Sequence, residues 1–188
     1  MACVATGCYL SRDTIILNGD ADDPWQTPRI HNLATLIASG AGAGLSPIAP
    51  GTAGSILGVL CLWPLCYLSL EWLWLVWLFT CFLAVWAADG AGADWQVVDH
   101  PAIVIDEVVG VWLAYLIPVT LLSAELDTLQ VILGALVLFR IYDIAKPWPV
   151  NWAERRLSRG VGVVADDLVA GAMAGFILCL LMTGQLIA

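Results

Sequence analysis

Charge is what this chain has least of, and positive charge above all. Only 12% of its 188 residues are charged, and 7 Lys and Arg stand against 16 Asp and Glu for a net charge of -9; soluble proteins carry about a quarter charged residues. A nucleic-acid partner is excluded, because a phosphate backbone needs a basic surface. Cysteine is present but unpaired by pattern. Cys3, Cys8, Cys61, Cys66, Cys81 and Cys179 form no CxxC pair, and four of them lie in apolar runs, where the thiol behaves as a small hydrophobe. A disulfide framework is therefore not expected. The first 30 residues lack the basic start and unbroken apolar core of a secretory leader, so a cleaved leader is not expected either.

What remains is apolar. With 61% hydrophobic residues and a mean hydropathy of +0.87, the chain reads as an all-α, polytopic membrane helical bundle of one domain. Five apolar stretches are expected to span: Ala53 to Leu70, Trp72 to Ala88, Val108 to Ala124, Thr128 to Phe139, and Leu168 to the C-terminus. Glu71 alone separates the first two, which predicts a tight hairpin. Thr128 to Phe139 is too short to span unless it borrows residues beyond Arg140. Residues 33 to 49 are apolar but short and broken by Gly40, Gly42, Gly44 and Pro47, which predicts an interfacial or re-entrant helix. Residues 1 to 31 read as a loose tail, leaving 32 to 188 as the membrane-embedded domain. Most tryptophans fall near segment ends, as interfacial anchors do.

With five spans, every Lys and Arg falls on one face, together with the acidic loop from Asp89 to Glu107 and the basic loop from Arg140 to Asp167. The positive-inside rule places that face in the cytoplasm. Arg140 and Asp143 are three apart and share a helix face; Pro147 and Pro149 end that helix.

Two acidic pairs, Asp106-Glu107 and Asp166-Asp167, each follow a valine-rich approach and are expected at the mouth of an apolar helix. One acid there is an ordinary cap. Helix neighbours point about 100° apart, so one cap does not occupy both. With Asp99 and Asp143 they make a set of oxygen ligands for a hard divalent cation. Caps and ion pairs with Arg140, Lys146 and Arg155 are the competing account. In Ser46 to Ser55, SPIAPGTAGS, glycine and hydroxyl steps lead into a helix whose free N–H groups suit an anion; a plain capped turn explains them as well.

Cations, arginines and a lipid boundary together suggest phosphate chemistry, with His100 beside Asp99 as a general acid or base. Several phosphatase designs are missing. No cysteine precedes an arginine by six positions, no DxDx(T/V) follows a strand-like run, Lys146 has no Arg-Pro at the spacing of the histidine-based lipid phosphatases, and Asp89-Gly90 lacks the continuation used by CDP-alcohol transferases.

Three blocks, SGAGAGLSPIAPGTAGS (39 to 55), DHPAIVIDEVVG (99 to 110), and FRIYDIAKPWPVNWAERR with GVGVVADDLVAG (139 to 171), resemble the bacterial phosphatidylglycerophosphatase A family, in the right order and over roughly residues 32 to 188. The resemblance implies Mg²⁺-dependent hydrolysis of phosphatidylglycerol phosphate to phosphatidylglycerol and inorganic phosphate at the inner membrane. It implies a metal or catalytic set of Asp106, Glu107, Asp143, Asp166 and Asp167, with Asp99 as a further ligand and His100 as a further catalytic group. Arg140, Lys146, Arg155 and Arg156 would hold the phosphates, assisted by Ser46, Thr52 and Ser55. The tail lies outside the resemblance. An ion-coupled transporter or channel using the same acids is the alternative from another class, and a lipid-phosphate binding module without turnover is a third.

Overall fold

In the computed structural model, residues 28–122, 126–150 and 159–187 are described. They form α1 (Leu33–Ala38), α2 (Pro50–Leu65), α3 (Leu70–Asp94), α4 (Ile105–Leu122), α5 (Thr128–Ala145) and α6 (Arg159–Ile187), with a short 3-10 turn at Ala43–Leu45. No strand occurs among the described residues, so the all-helical expectation holds.

The local chemistry accounts for the breaks. Asn32 and Thr35 form a reciprocal capping box at α1. Gly40 and Gly42 take positive φ values of 56° and 98° just beyond it, a conformation that glycine adopts without steric penalty. Pro50 starts α2, where its missing N–H costs nothing. Asp127 accepts a hydrogen bond from the Gln130 N–H to start α5.

Among the described residues, four helices are long and apolar enough to cross a membrane: Leu70–Asp94, Ile105–Leu122, Thr128–Ala145 and Arg159–Thr183. The first expected span is shorter than that. It becomes the 16-residue α2, which ends at Leu65, and a turn from Cys66 to Ser69 carries the chain into α3. Glu71 is therefore the second residue of α3 and not the hairpin tip. The fourth apolar stretch does run on past Arg140, to Ala145. Residues 33–49 form α1 and the 3-10 turn, not one helix.

The four long helices divide by burial. Within their most apolar windows 61% of α4 and 56% of α6 is buried, against 17% of α3 and 22% of α5. α4 and α6 are thus the inner pair, while α3 and α5 turn large apolar side chains such as Phe79, Phe82, Leu133 and Val137 outward, as lipid contact requires. The inner pair meets where glycine removes a side chain: a Cβ on Gly171 would overlap the Gly110 carbonyl, and one on Gly110 would meet Phe139 at 2.5 Å.

Among the described residues, three tryptophans tie helices together through their indole N–H groups. Trp112, 5% exposed, donates from Nε1 to the Gly58 carbonyl of α2 at 2.7 Å. Trp77 donates to the Val109 carbonyl at 3.0 Å, and Trp74 to Thr120 Oγ1 at 3.0 Å. Each indole N–H joins two helices, and that of Trp112 satisfies a buried carbonyl.

Candidate active site

The crossing of α4 and α6 places the chemistry. Asp106 lies four residues before Gly110 on α4, and Asp167 four residues before Gly171 on α6. Equal offsets from one close approach, on helices that enter the bundle from the same end, bring the two acids level. Oxygens of Asp106, Glu107 and Asp167 all lie within 4.8 Å of one another. Asp106 and Asp167 are 7% and 4% exposed.

A cavity of about 210 Å³ opens over this group. It is lined by Pro50 and Gly51 of α2, Asp99 and His100 before α4, Asp106 and Glu107, Asp143 and Lys146 at the end of α5, and Asp166 and Asp167 of α6, among others. Residues remote in sequence thus share one wall. The two acidic pairs do not have equal standing in their helices. Asp106 and Glu107 open α4 as expected, with Asp106 Oδ1 accepting the Glu107 N–H at 3.1 Å. Asp166 and Asp167 stand two turns inside α6, which already begins at Arg159, so capping does not account for the second pair.

Among the described residues, two cations are bound to acids at this end of the bundle. Lys146 Nζ donates to Asp166 Oδ2 at 3.0 Å, and Arg140 Nη1 to Asp143 Oδ2, one turn apart on α5. Both ion pairs belong to the account that competed with metal ligation. They leave Asp106, Glu107 and Asp167 crowded together, and Glu107 Oε2 is buried with no hydrogen-bond partner among the described residues. A buried carboxylate oxygen without a donor is costly, and clustered carboxylates repel one another in a site shielded from water. A divalent cation resolves both, so the donor set fits a hard metal with oxygen ligands.

His100 is 6% exposed and packs its ring 5.1 Å from that of Trp95. Its Nδ1 accepts the Ala102 N–H at 3.1 Å, which puts the proton of the neutral ring on Nε2. Burial lowers its pKa below the ordinary 6.5, against the opposing pull of Asp99. The ring is then a neutral hydrogen-bond donor at the cavity.

The hydroxyls expected to assist sit elsewhere. Ser55 is fully buried and donates to the Gly51 carbonyl at 2.9 Å, while Ser46 donates to the Ile48 carbonyl at 2.9 Å. Neither they nor Thr52 line the cavity; Pro50 and Gly51 do. Arg155 and Arg156 lie outside the described residues. Gly51 was missed as a site residue, although its glycine in the first turn of a helix beside acids was the available signal.

A family model, Phosphatidylglycerophosphatase A, matches residues 36–182. The chain belongs to the phosphatidylglycerophosphatase A family. It is 36% identical over 150 residues to Phosphatidylglycerophosphatase A of Escherichia coli, covering 80% of this chain and 84% of that one. It is 36% identical over 160 residues to the Haemophilus influenzae protein of the same name, covering 81% and 91%. A Bacteroides thetaiotaomicron protein provisionally named a phosphatidylinositol-3-phosphatase is 39% identical over 146 residues, covering 74% and 87%. No solved structure matches the chain. As a phosphatidylglycerophosphatase A family member the chain is a phosphatase, and the transporter alternative finds no support in these relatives.

Proposed function

We propose that this chain hydrolyses the terminal phosphomonoester of phosphatidylglycerol phosphate in a Mg²⁺-dependent reaction, as a step of phospholipid synthesis at the bacterial inner membrane. The observation that carries the reading is the buried Asp106, Glu107 and Asp167 cluster with its unpartnered Glu107 oxygen, in a chain similar to proteins named for this lipid.

Asp106, Glu107 and Asp167 would hold the cation, with Asp99, Asp143 and Asp166 completing the acidic wall. Bound Mg²⁺ would polarise a phosphoryl oxygen and lower the pKa of a coordinated water. Lys146 lines the cavity beside Asp166, and its flexible stem would let the ammonium turn toward phosphate oxygens. The first turn of α2 adds backbone N–H groups at its positive end beside Gly51. The water oxygen bonds to phosphorus, the bond from phosphorus to the glycerol oxygen breaks, and that oxygen takes up a proton. A wall carboxylate accepts the proton lost by water and returns it to the leaving oxygen, to which His100 Nε2–H is available as a hydrogen-bond donor.

The helices support a cytoplasmic orientation. α2, α4 and α6 start, and α5 ends, at the cavity, so Arg140, Lys146 and Arg159 share one end of the bundle, as the positive-inside rule requires of the cytoplasmic face.

The test is phosphate release from short-chain lipids in detergent, with Mg²⁺ or with EDTA, across phosphatidylglycerol phosphate, phosphatidylinositol 3-phosphate and phosphatidic acid. Mg²⁺-dependent release, fastest from phosphatidylglycerol phosphate, is expected. Faster turnover of the inositol lipid would move the substrate assignment to that headgroup, and undiminished release in EDTA would remove the metal from the reaction. Retention of substrate without release would favour a binding module.

A further inference from the structure

Arg140 and Lys146 were grouped on sequence as phosphate ligands, but the fold separates them. Lys146 borders the cavity, and Arg140 is not among its lining residues. The Arg140 side chain is 18% exposed and bound to Asp143, and its Nε is buried without a hydrogen-bond partner.

Gly51 stands beside the guanidinium. A Cβ on Gly51 would stand 3.1 and 3.3 Å from Arg140 Nη1 and Nη2, and 2.5 Å from Glu107 Oε1. The guanidinium therefore lies behind the acids, between the first turn of α2, Glu107 of α4 and Asp143 of α5. A side chain at Gly51 would displace the Glu107 carboxylate or the guanidinium. A planar, permanently charged group paired with Asp143 sets that carboxylate's orientation and offsets part of the negative charge of the cluster.

We propose that Arg140 is a positioning residue, which holds Asp143 in the orientation that completes the cation's acidic wall, and that Gly51 is the space this strut needs. The phosphate is left to Lys146 and to groups facing the cavity. This inference rests on the metal-dependent reading above.

The experiment uses the full chain in detergent and measures Mn²⁺ binding by calorimetry or electron paramagnetic resonance, without lipid. The wild type is compared with Arg140→Gln, Arg140→Lys and Gly51→Ala, and kcat and KM for short-chain phosphatidylglycerol phosphate are measured at saturating metal. Partners that orient metal ligands typically contribute about 10- to 100-fold in metal affinity. Arg140→Gln should weaken Mn²⁺ binding by about that factor and lower kcat with KM unchanged. Arg140→Lys should recover part of the affinity, and Gly51→Ala should weaken Mn²⁺ binding with Arg140 intact. Unchanged Mn²⁺ affinity with a raised KM would make Arg140 a phosphate ligand and overturn the proposal. If Arg140→Gln does not fold, Gly51→Ala decides: wild-type Mn²⁺ affinity in that variant overturns it. A wild type that binds no Mn²⁺ sinks the metal-dependent reading itself, and this inference with it.

Discussion

The carbonyl of Gly110 occupies the space where Gly171 would carry a side chain, and this contact between α4 and α6 sets the distance between Asp106 and Asp167. Without a hydrophobic drive between helices in lipid, small residues at a crossing are what allow such an approach. Gly171→Ala should force the helices apart. Overpacking of this kind costs about 1–3 kcal/mol, and thermal unfolding in detergent should show a lower midpoint. Turnover should fall further than stability, because the acid cluster opens with the crossing; a variant with normal activity would uncouple the crossing from the site.

Asp106→Asn and Asp167→Asn each remove a charge from the cluster while keeping its shape. Both variants should remain folded, with phosphate release reduced by about 100-fold or more, the scale of losing a group that supplies several kcal/mol at the transition state. Circular dichroism and the release assay together check this. Rates near the wild type in both would remove these acids from the mechanism.

Removing the divalent ion should act on the same residues. Chelation should abolish turnover reversibly and lower thermal stability, since a ligand that binds only the folded chain stabilises it by mass action. In the Asp106→Asn protein the stabilising effect of added Mg²⁺ should be much smaller, and an equal shift in both proteins would place the ion elsewhere.

His100 gives a pH dependence with a definite sign. Burial lowers its pKa from 6.5 in the folded chain, so the unfolded chain binds the proton more readily. Its contribution to stability is present above about pH 6.5 and is lost as pH falls through the lower folded value. His100→Gln should flatten the acid side of a melting-temperature profile relative to the wild type. Parallel profiles would show that His100 does not titrate in that window.

Trp112 tests the core. Trp112→Phe keeps the aromatic packing but deletes the donor to the Gly58 carbonyl at 2.7 Å. A cost of about 1–2 kcal/mol is expected, that of a buried hydrogen bond lost on one side, with the metal site unchanged. Mn²⁺ affinity and thermal melting, measured together, separate these effects.

The amino-acid sequence alone determined the class of the molecule and most of its chemistry. A chain with so few charges has to place them deliberately, so Asp106, Glu107, Asp143, Lys146, Asp166 and Asp167 stood out against apolar helices, and all six line one cavity. Span boundaries were less legible. Hydropathy does not mark where an apolar helix stops or starts, so α2 was read past Leu65, and residues 159–165 were read as approach rather than helix although they form the start of α6. The tertiary structure decided what depends on approach between distant residues. The crossing at Gly110 and Gly171, the inward indoles of Trp77 and Trp112, and the seat of Arg140 behind Gly51 all follow from how closely backbones meet. That distance is set by the combined shape of two helices and is written in neither one alone.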